Sequence, residues 1–196
     1  SLWAICAHVK CCFHVMLSIM GFLANSVFTI GATGAATLAY GLVEAQAFTT
    51  RELELAVLPE GSENIRVLHI SDLHITPAQT RKINWVKSLV KLEPDFVVGT
   101  GDFLAHSLAV PAVVEAMDEL MDIPGAFVLG SNDYFAPTLK NPLQYFNKSR
   151  VIHAGGTPLP TSELVEQLTE AGWLDLNNKQ SQVTIKGVKI HARGTD

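Results

Sequence analysis

Asp72 and His74 stand two residues apart, directly after Val67-Leu68-His69-Ile70-Ser71, a short apolar run of strand-forming residues that opens at Ile65. In an extended segment, residues two apart point the same way. One carboxylate oxygen and one imidazole nitrogen can then face a single divalent metal. Asp-x-His alone is common by chance, but two later stretches repeat the pattern. Asp95-Phe96-Val97-Val98-Gly99-Thr100 runs into Gly101-Asp102, and Gly125-Ala126-Phe127-Val128-Leu129-Gly130 runs into Ser131-Asn132-Asp133. The tips are about 30 residues apart, one strand–helix–strand unit each time. Asp72, His74, Asp102 and Asn132 offer two carboxylates, one imidazole and one amide oxygen. This set of hard and borderline donors suits Mn, Fe, Zn or Mg rather than a thiolate site. A carboxylate from the middle strand can bridge two ions, and two ions together can hold a phosphoryl oxygen and activate a water for in-line attack. Gly101 lets the backbone approach without a Cβ clash. Taken singly, Asp72 reads equally as a turn or cap residue, His74 as a surface loop residue and Asp102 as a cap. Their ordered occurrence behind three matched apolar strands favours the metal.

For these tips to meet, the strands must be parallel and neighbouring. Thr76-Pro77-Ala78-Gln79 has the residues of a helix start, with Gln three after Thr and Pro at the first helical position. Ile83, Val86, Leu89 and Val90 follow at helical spacing up to Pro94. Lys82, Lys87 and Lys91 are read as its solvated face. A second helix is expected over Val110 to Met121, with Val113, Val114, Met117, Leu120 and Met121 on its core face. Pro142 to Asn147 reads as a short helix and Ser149 to Pro160 as a loop. Ser162 to Ala171 reads as a helix capped by Gly172. Trp173-Leu174 then opens a strand. Val183 and Ile185 alternate with Val188 and Ile190 around Lys186-Gly187 as a hairpin. Alternating strands and helices predict an α/β fold with a mainly parallel sheet, and ligands gather at the carboxyl ends of such strands.

Composition sets the class. The chain has 196 residues, 48% of them hydrophobic, and a formal net charge of −5, which excludes a disordered chain and a strongly basic nucleic-acid binder. The apolar weight lies at the N-terminus, where no Asp, Glu, Lys or Arg occurs from Cys11 to Val43. That run exceeds the roughly 20 apolar residues needed to cross a bilayer. Residues 1–43 are therefore expected to form a transmembrane segment, with the Gly31–Ala36 patch open to close helix contact. A cleaved export signal is the alternative, given the small-residue stretch Ala45-Gln46-Ala47. Lys10 before the run and Glu44 after it favour a single-pass protein whose domain faces outward. Cys6, Cys11 and Cys12 all belong to this quarter and imply neither a disulfide framework nor a zinc site. Residues 44–64 form a connector in which Leu53, Leu55 and Val57 alternate as an edge strand, and residues 65–196 form the main domain.

Ser71-Asp72-Leu73-His74, Thr100-Gly101-Asp102 and Leu129-Gly130-Ser131-Asn132-Asp133-Tyr134 resemble the first three motifs of the calcineurin-like metallophosphoesterases. The likeness is nearest to bacterial members with an N-terminal export or anchor segment. It implies a β-sandwich flanked by helices, a dinuclear divalent-metal centre and hydrolysis of phosphate mono- or diesters. By position, Asp72 and His74 would bind the first metal and Asp102 would bridge both. The family's third motif is usually Gly-Asn-His followed by Asp or Glu. In strict register Ser131 takes the ligand place and Asn132 the histidine place. With a one-residue shift Asn132 remains the ligand and Asp133 follows it. Asn132 cannot act as a general acid, so the catalytic expectation falls on Asn132 as hydrogen-bond donor and on Asp133. The family's later Gly-His and Gly-His-x-His segment has no counterpart. His69, His106, His153 and His191 fit no motif, so the chain is expected to be part of a longer protein. A degenerate, non-catalytic module of the same fold is the alternative reading.

Overall fold

The structure, a computed structural model, describes residues 22, 25–137 and 156–196. The expected short helix over Pro142 to Asn147, most of the loop from Ser149, His153 and the three cysteines lie outside the described residues. Two units are present, Ser1–Thr50 and Arg51–Asp196. In the first, helix α1 (Asn25–Glu44) is long and apolar enough to cross a membrane, and none of its apolar stretch is buried. The hydroxyls of Ser26, Thr29 and Thr37 each donate to the carbonyl four residues earlier. That satisfies them within the helix, which an apolar solvent requires.

The second unit holds a parallel sheet of β1 (Val67–Ile70), β2 (Phe96–Thr100), β3 (Gly125–Val128) and β4 (Leu174–Asp175), in that order. Between the strands run α2 (Thr80–Ser88, continued by a 3-10 turn over Leu89–Leu92), α3 (Val110–Met121), the single turn α4 (Ser131–Tyr134) and α5 (Thr161–Glu170). A hairpin of β5 (Gln180–Ile185) and β6 (Val188–Arg193) completes it. Strands β2 and β3 are covered on both faces, which is why they are apolar runs, whereas edge strand β1 leaves Val67 and His69 exposed. Ile70, Val97, Phe127 and Leu129 pack with Val86 of α2, Val113, Met117 and Leu120 of α3, and Leu164 and Leu168 of α5. On the other face Phe96, Ala126, Val98 and Val128 pack with Leu176, Val183, Ile185 and Ile190. The sheet-on-hairpin layer is the sandwich that the resemblance implies, with helices outside it.

Several expectations are corrected. Leu53, Leu55 and Val57 form no strand and are exposed; alternation without a neighbouring strand to accept its hydrogen bonds makes no sheet. Helix α2 begins at Thr80 rather than at Thr76. Gln79 Oε1 does accept the Thr76 N–H at 3.1 Å, but this bond closes a turn over Pro77-Ala78 ahead of the helix. Of the three lysines read as solvated, Lys82 donates to the Leu73 carbonyl at 2.7 Å and Lys87 pairs with Glu115 of α3 at 2.8 Å. Desolvation lowers the Lys82 pKa. Other local signals act as read. Helix α3 has the expected bounds, and Gly172, at φ +87°, closes α5 by donating to Thr169. Lys186 and Gly187 both take positive φ in the β5–β6 turn, as a two-residue hairpin requires.

Candidate metal centre

Strands β1 and β2 stop at Ile70 and Thr100 because the next residues leave the extended region. Asp72, His74 and Asp102 have φ of 55°, 44° and 57°, and Gly101 has φ +89°. Left-handed backbone disfavours L-residues and collects at functional sites. Among the described residues six non-glycine positions adopt it, and three are these candidate ligands. The two loops nevertheless stay tied. Asp72 N–H donates to Gly101, His74 N–H to Asp102 and Ile75 N–H to Phe103, at 3.1, 2.8 and 2.8 Å. Asp72 and His74 therefore converge through two left-handed turns that aim their side chains across to Asp102. The extended alternation inferred from their spacing is not how they meet.

His74 Nε2 lies 3.6 Å from Asp102 Oδ2 and 3.9 Å from Asp72 Oδ1. One ligand atom from each of the three lies within 4.8 Å of the others. Ligand atoms each about 2.1 Å from one ion stand roughly 3.0–3.4 Å apart at octahedral or tetrahedral angles, so a small inward movement would close this set on a cation. Asp72 is exposed and the other two half-buried, which leaves the position open to substrate. Among the described residues no lysine or arginine forms an ion pair with Asp72 or Asp102. Ser71 Oγ donates to Asp72 Oδ2 at 2.5 Å. The arrangement fits a divalent cation of the hard-to-borderline kind.

The third tip arrives through β3. Asn132 N–H donates to Asp102 Oδ1 at 2.9 Å and Asn132 Nδ2 donates to Asp102 Oδ2 at 2.8 Å. Asn132 is thus brought to the site, with its Oδ1 still free to act as an acceptor or ligand, whereas Ser131 is exposed at the start of α4. Two glycines permit the approach. A Cβ at Gly130 would meet the Asp102 carboxylate, and one at Gly101 would meet the Leu129 and Gly130 backbone.

Asp133 is not where a catalytic group must be. It is 0% exposed, and its carboxylate accepts the N–H groups of Asp102 and Gly130 on Oδ2 and of Leu104 on Oδ1, at 2.8, 2.9 and 2.9 Å. Burial raises its pKa, and the backbone N–H donors oppose that rise. The catalytic expectation on Asp133 is corrected on this ground, since a carboxylate sealed from solvent and saturated by backbone donors cannot reach a substrate. Of its three bonds only the one to Gly130 has a signal in the sequence. An acidic residue three positions after Gly130 is the reciprocal half of a capping box.

Outside the site, His69 bonds Thr100 Oγ1 at 2.7 Å, the ring of His106 accepts the Leu108 N–H, and His191 is exposed on β6. Lys82 was missed by sequence reasoning. Its ammonium holds the carbonyl of Leu73, the residue between Asp72 and His74, and nothing in a helical lysine's spacing announces that.

Among curated proteins none matches the chain. The family model described as calcineurin-like phosphoesterase matches residues 65–194, a span that contains all three strand tips and the convergent Asp72, His74 and Asp102. On that match the chain belongs to the calcineurin-like phosphoesterase family of hydrolases, whose members act on phosphate esters with divalent metals.

Proposed function

We propose that the chain is a membrane-anchored metallophosphoesterase that hydrolyses phosphate mono- or diesters at a dinuclear centre. Asp72 and His74 would hold the first cation, Asp102 would serve both cations, and Asn132 would offer its Oδ1 to the second. The observation that carries this reading is the convergence of two carboxylates and one imidazole, all three on left-handed backbone, with no basic partner among the described residues. Such a cluster concentrates negative charge that a divalent cation would neutralise. A bound cation there supplies Lewis-acid polarisation of a phosphoryl oxygen and a nucleophile generated from water at neutral pH. The Asn132 amide, fixed against Asp102, offers a neutral hydrogen bond to a phosphoryl oxygen. The Ser71 hydroxyl orients Asp72. Mn, Fe, Zn and Mg all suit these donors.

Residues 1–43 act as a single-pass anchor, 44–64 as a connector and 65–196 as the metallophosphoesterase domain on the outer face of the membrane. Export with signal cleavage is the alternative route to the same side. Support for the anchor is α1, apolar and unburied along its length. The test of function is turnover of a chromogenic phosphodiester with Mn²⁺. Activity that disappears in Asp102→Ala is expected, and unchanged turnover in that variant would remove the assignment.

One observation favours a second reading, a non-catalytic module that keeps the fold. The main-chain N–H of Asn132 and one hydrogen of its side-chain amide are turned inward to Asp102, which leaves a single amide hydrogen and no acid at the residue that, in strict register, stands where the family places its histidine. Metal analysis tests the second reading: two tightly held ions per chain would refute it.

A further inference from the structure

Beyond the candidate ligands themselves, the described residues include one buried charge that the proposed reaction does not use. It is the carboxylate of Asp133, fully buried and held by three backbone N–H groups. Burying a carboxylate is unfavourable unless every lone pair finds a donor, so the donors it collects show what it holds. Two of them, Asp102 and Leu104, lie in the loop after β2, and the third, Gly130, opens the turn after β3. These N–H groups sit past the last rungs of the β2–β3 ladder, which pairs Thr100 with Val128. Left-handed Asp102 cannot extend that ladder, and its N–H would otherwise be left unpaired beside the site.

The traffic between the two tips runs both ways. The Asp133 carboxylate accepts the N–H of Asp102, and the Asp102 carboxylate accepts the N–H of Asn132. Each aspartate therefore fixes the backbone of the other's segment. This double tie leaves Asp102 one orientation, with Oδ2 aimed at His74 Nε2. The main chain of Asp133 is pinned as well, because its carbonyl accepts the Thr161 hydroxyl at the start of α5 at 2.6 Å. Three elements, the β2 loop, α4 and α5, meet on this single residue.

We propose that Asp133 is the positioning residue of the metal centre: its buried carboxylate holds Asp102 in left-handed backbone and so presets the cation site before any cation arrives. The inference rests on the metal-binding reading of Asp72, His74 and Asp102. Partners that orient ligands in this way are typically worth about 10–100-fold in metal affinity.

The test is Mn²⁺ affinity of the full chain in detergent micelles, read from the free-Mn²⁺ EPR signal, for the wild type and three variants. Each is first melted without metal to confirm that it folds. Asp133→Ala removes the acceptors of all three N–H groups and is expected to weaken binding about 10–100-fold. Asp133→Asn keeps an oxygen for Asp102 and Gly130 and loses the bond to Leu104, so its loss is expected to be several-fold smaller. It also reports on the clamp if the alanine variant does not fold. Leu120→Ala opens a cavity at the far end of α3, where the chain turns toward β3. It lowers stability without touching the clamp, and its affinity per folded chain is expected to equal the wild type's. Wild-type affinity in both Asp133 variants would overturn the proposal, as would an equal loss in Leu120→Ala. No binding by the wild type itself would defeat the metal reading and the positioning role together.

Discussion

The two ends of the parallel sheet carry polar clusters of opposite design. At the amino end, the Asp95 carboxylate accepts the Arg66 N–H and the Lys186 ammonium, both at 2.8 Å. Lys186 also bonds the Asn64 carbonyl, and the Arg66 guanidinium caps the Leu92 carbonyl that ends the 3-10 turn. Charge is matched there, and the cluster ties the β5–β6 hairpin to the sheet. At the carboxyl end, Asp72 and Asp102 face one another across His74, in strained backbone and with no basic partner among the described residues. The first cluster serves the fold. The second sets two carboxylates about one imidazole, and under the proposed function a cation between them would give that arrangement its reason. Aspartates stand at both ends, and the difference lies in the partners the fold supplies, Arg66 and Lys186 at one and His74 at the other.

That contrast can be broken or sharpened by substitution. The largest effect is expected at the carboxyl end, where Asp102→Ala should lower phosphodiester turnover with Mn²⁺ more than about 100-fold, since it removes a ligand and not merely a ligand's support. A steady-state assay with added metal checks it. Next comes Gly130→Ala. Its Cβ would press on the Asp102 carboxylate, and overpacking of this kind costs about 1–3 kcal/mol. Chemical denaturation should register that loss, and a neutral result would mean that the tips are further apart than described.

The amino end should respond in stability alone. Asp95→Asn is expected to cost about 0.5–1 kcal/mol at neutral pH, discounted for the partial exposure of the pair. The Arg66 N–H first, and then the Lys186 ammonium, hold the Asp95 pKa below the ordinary 3.8. A depressed folded-state pKa contributes stability that is present above the unfolded value and is lost as pH falls through the folded value. The gap in melting temperature between wild type and Asp95→Asn should therefore be constant from neutral pH to about pH 5. It should close below pH 3.8. A gap that widens with acid would contradict the assignment. Smallest is Asp72→Asn, at a position where asparagine accepts left-handed backbone. Without metal it should be neutral or stabilising by up to about 0.5 kcal/mol, because it relieves repulsion. With Mn²⁺ present it should melt lower than the wild type, because the stabilisation from bound cation is lost. The sign change between the two melts is the measurement, and a loss of stability without metal would show the carboxyl end to be structural after all.

The sequence by itself determined the strand–helix order, the core face of α3, the glycine cap of α5 and the Lys186-Gly187 hairpin. Each rests on local periodicity or on a backbone conformation that particular residues favour. It also marked Asp72, His74, Asp102 and Asn132, because a polar residue directly after a buried strand is visible in one dimension. It misplaced the start of α2 and made a strand of Leu53 to Val57, where local pattern met no tertiary partner. Only the tertiary structure decided how the marked residues meet and what Asp133 does. The candidate ligands converge through left-handed turns and cross-strand hydrogen bonds, which spacing does not encode. Asp133 and Asn132 are adjacent in sequence, yet one is sealed behind the site and the other faces it. That separation is set by which backbone N–H groups β2 and β3 leave unpaired when their ladder ends, and these become known only when the two strands lie side by side.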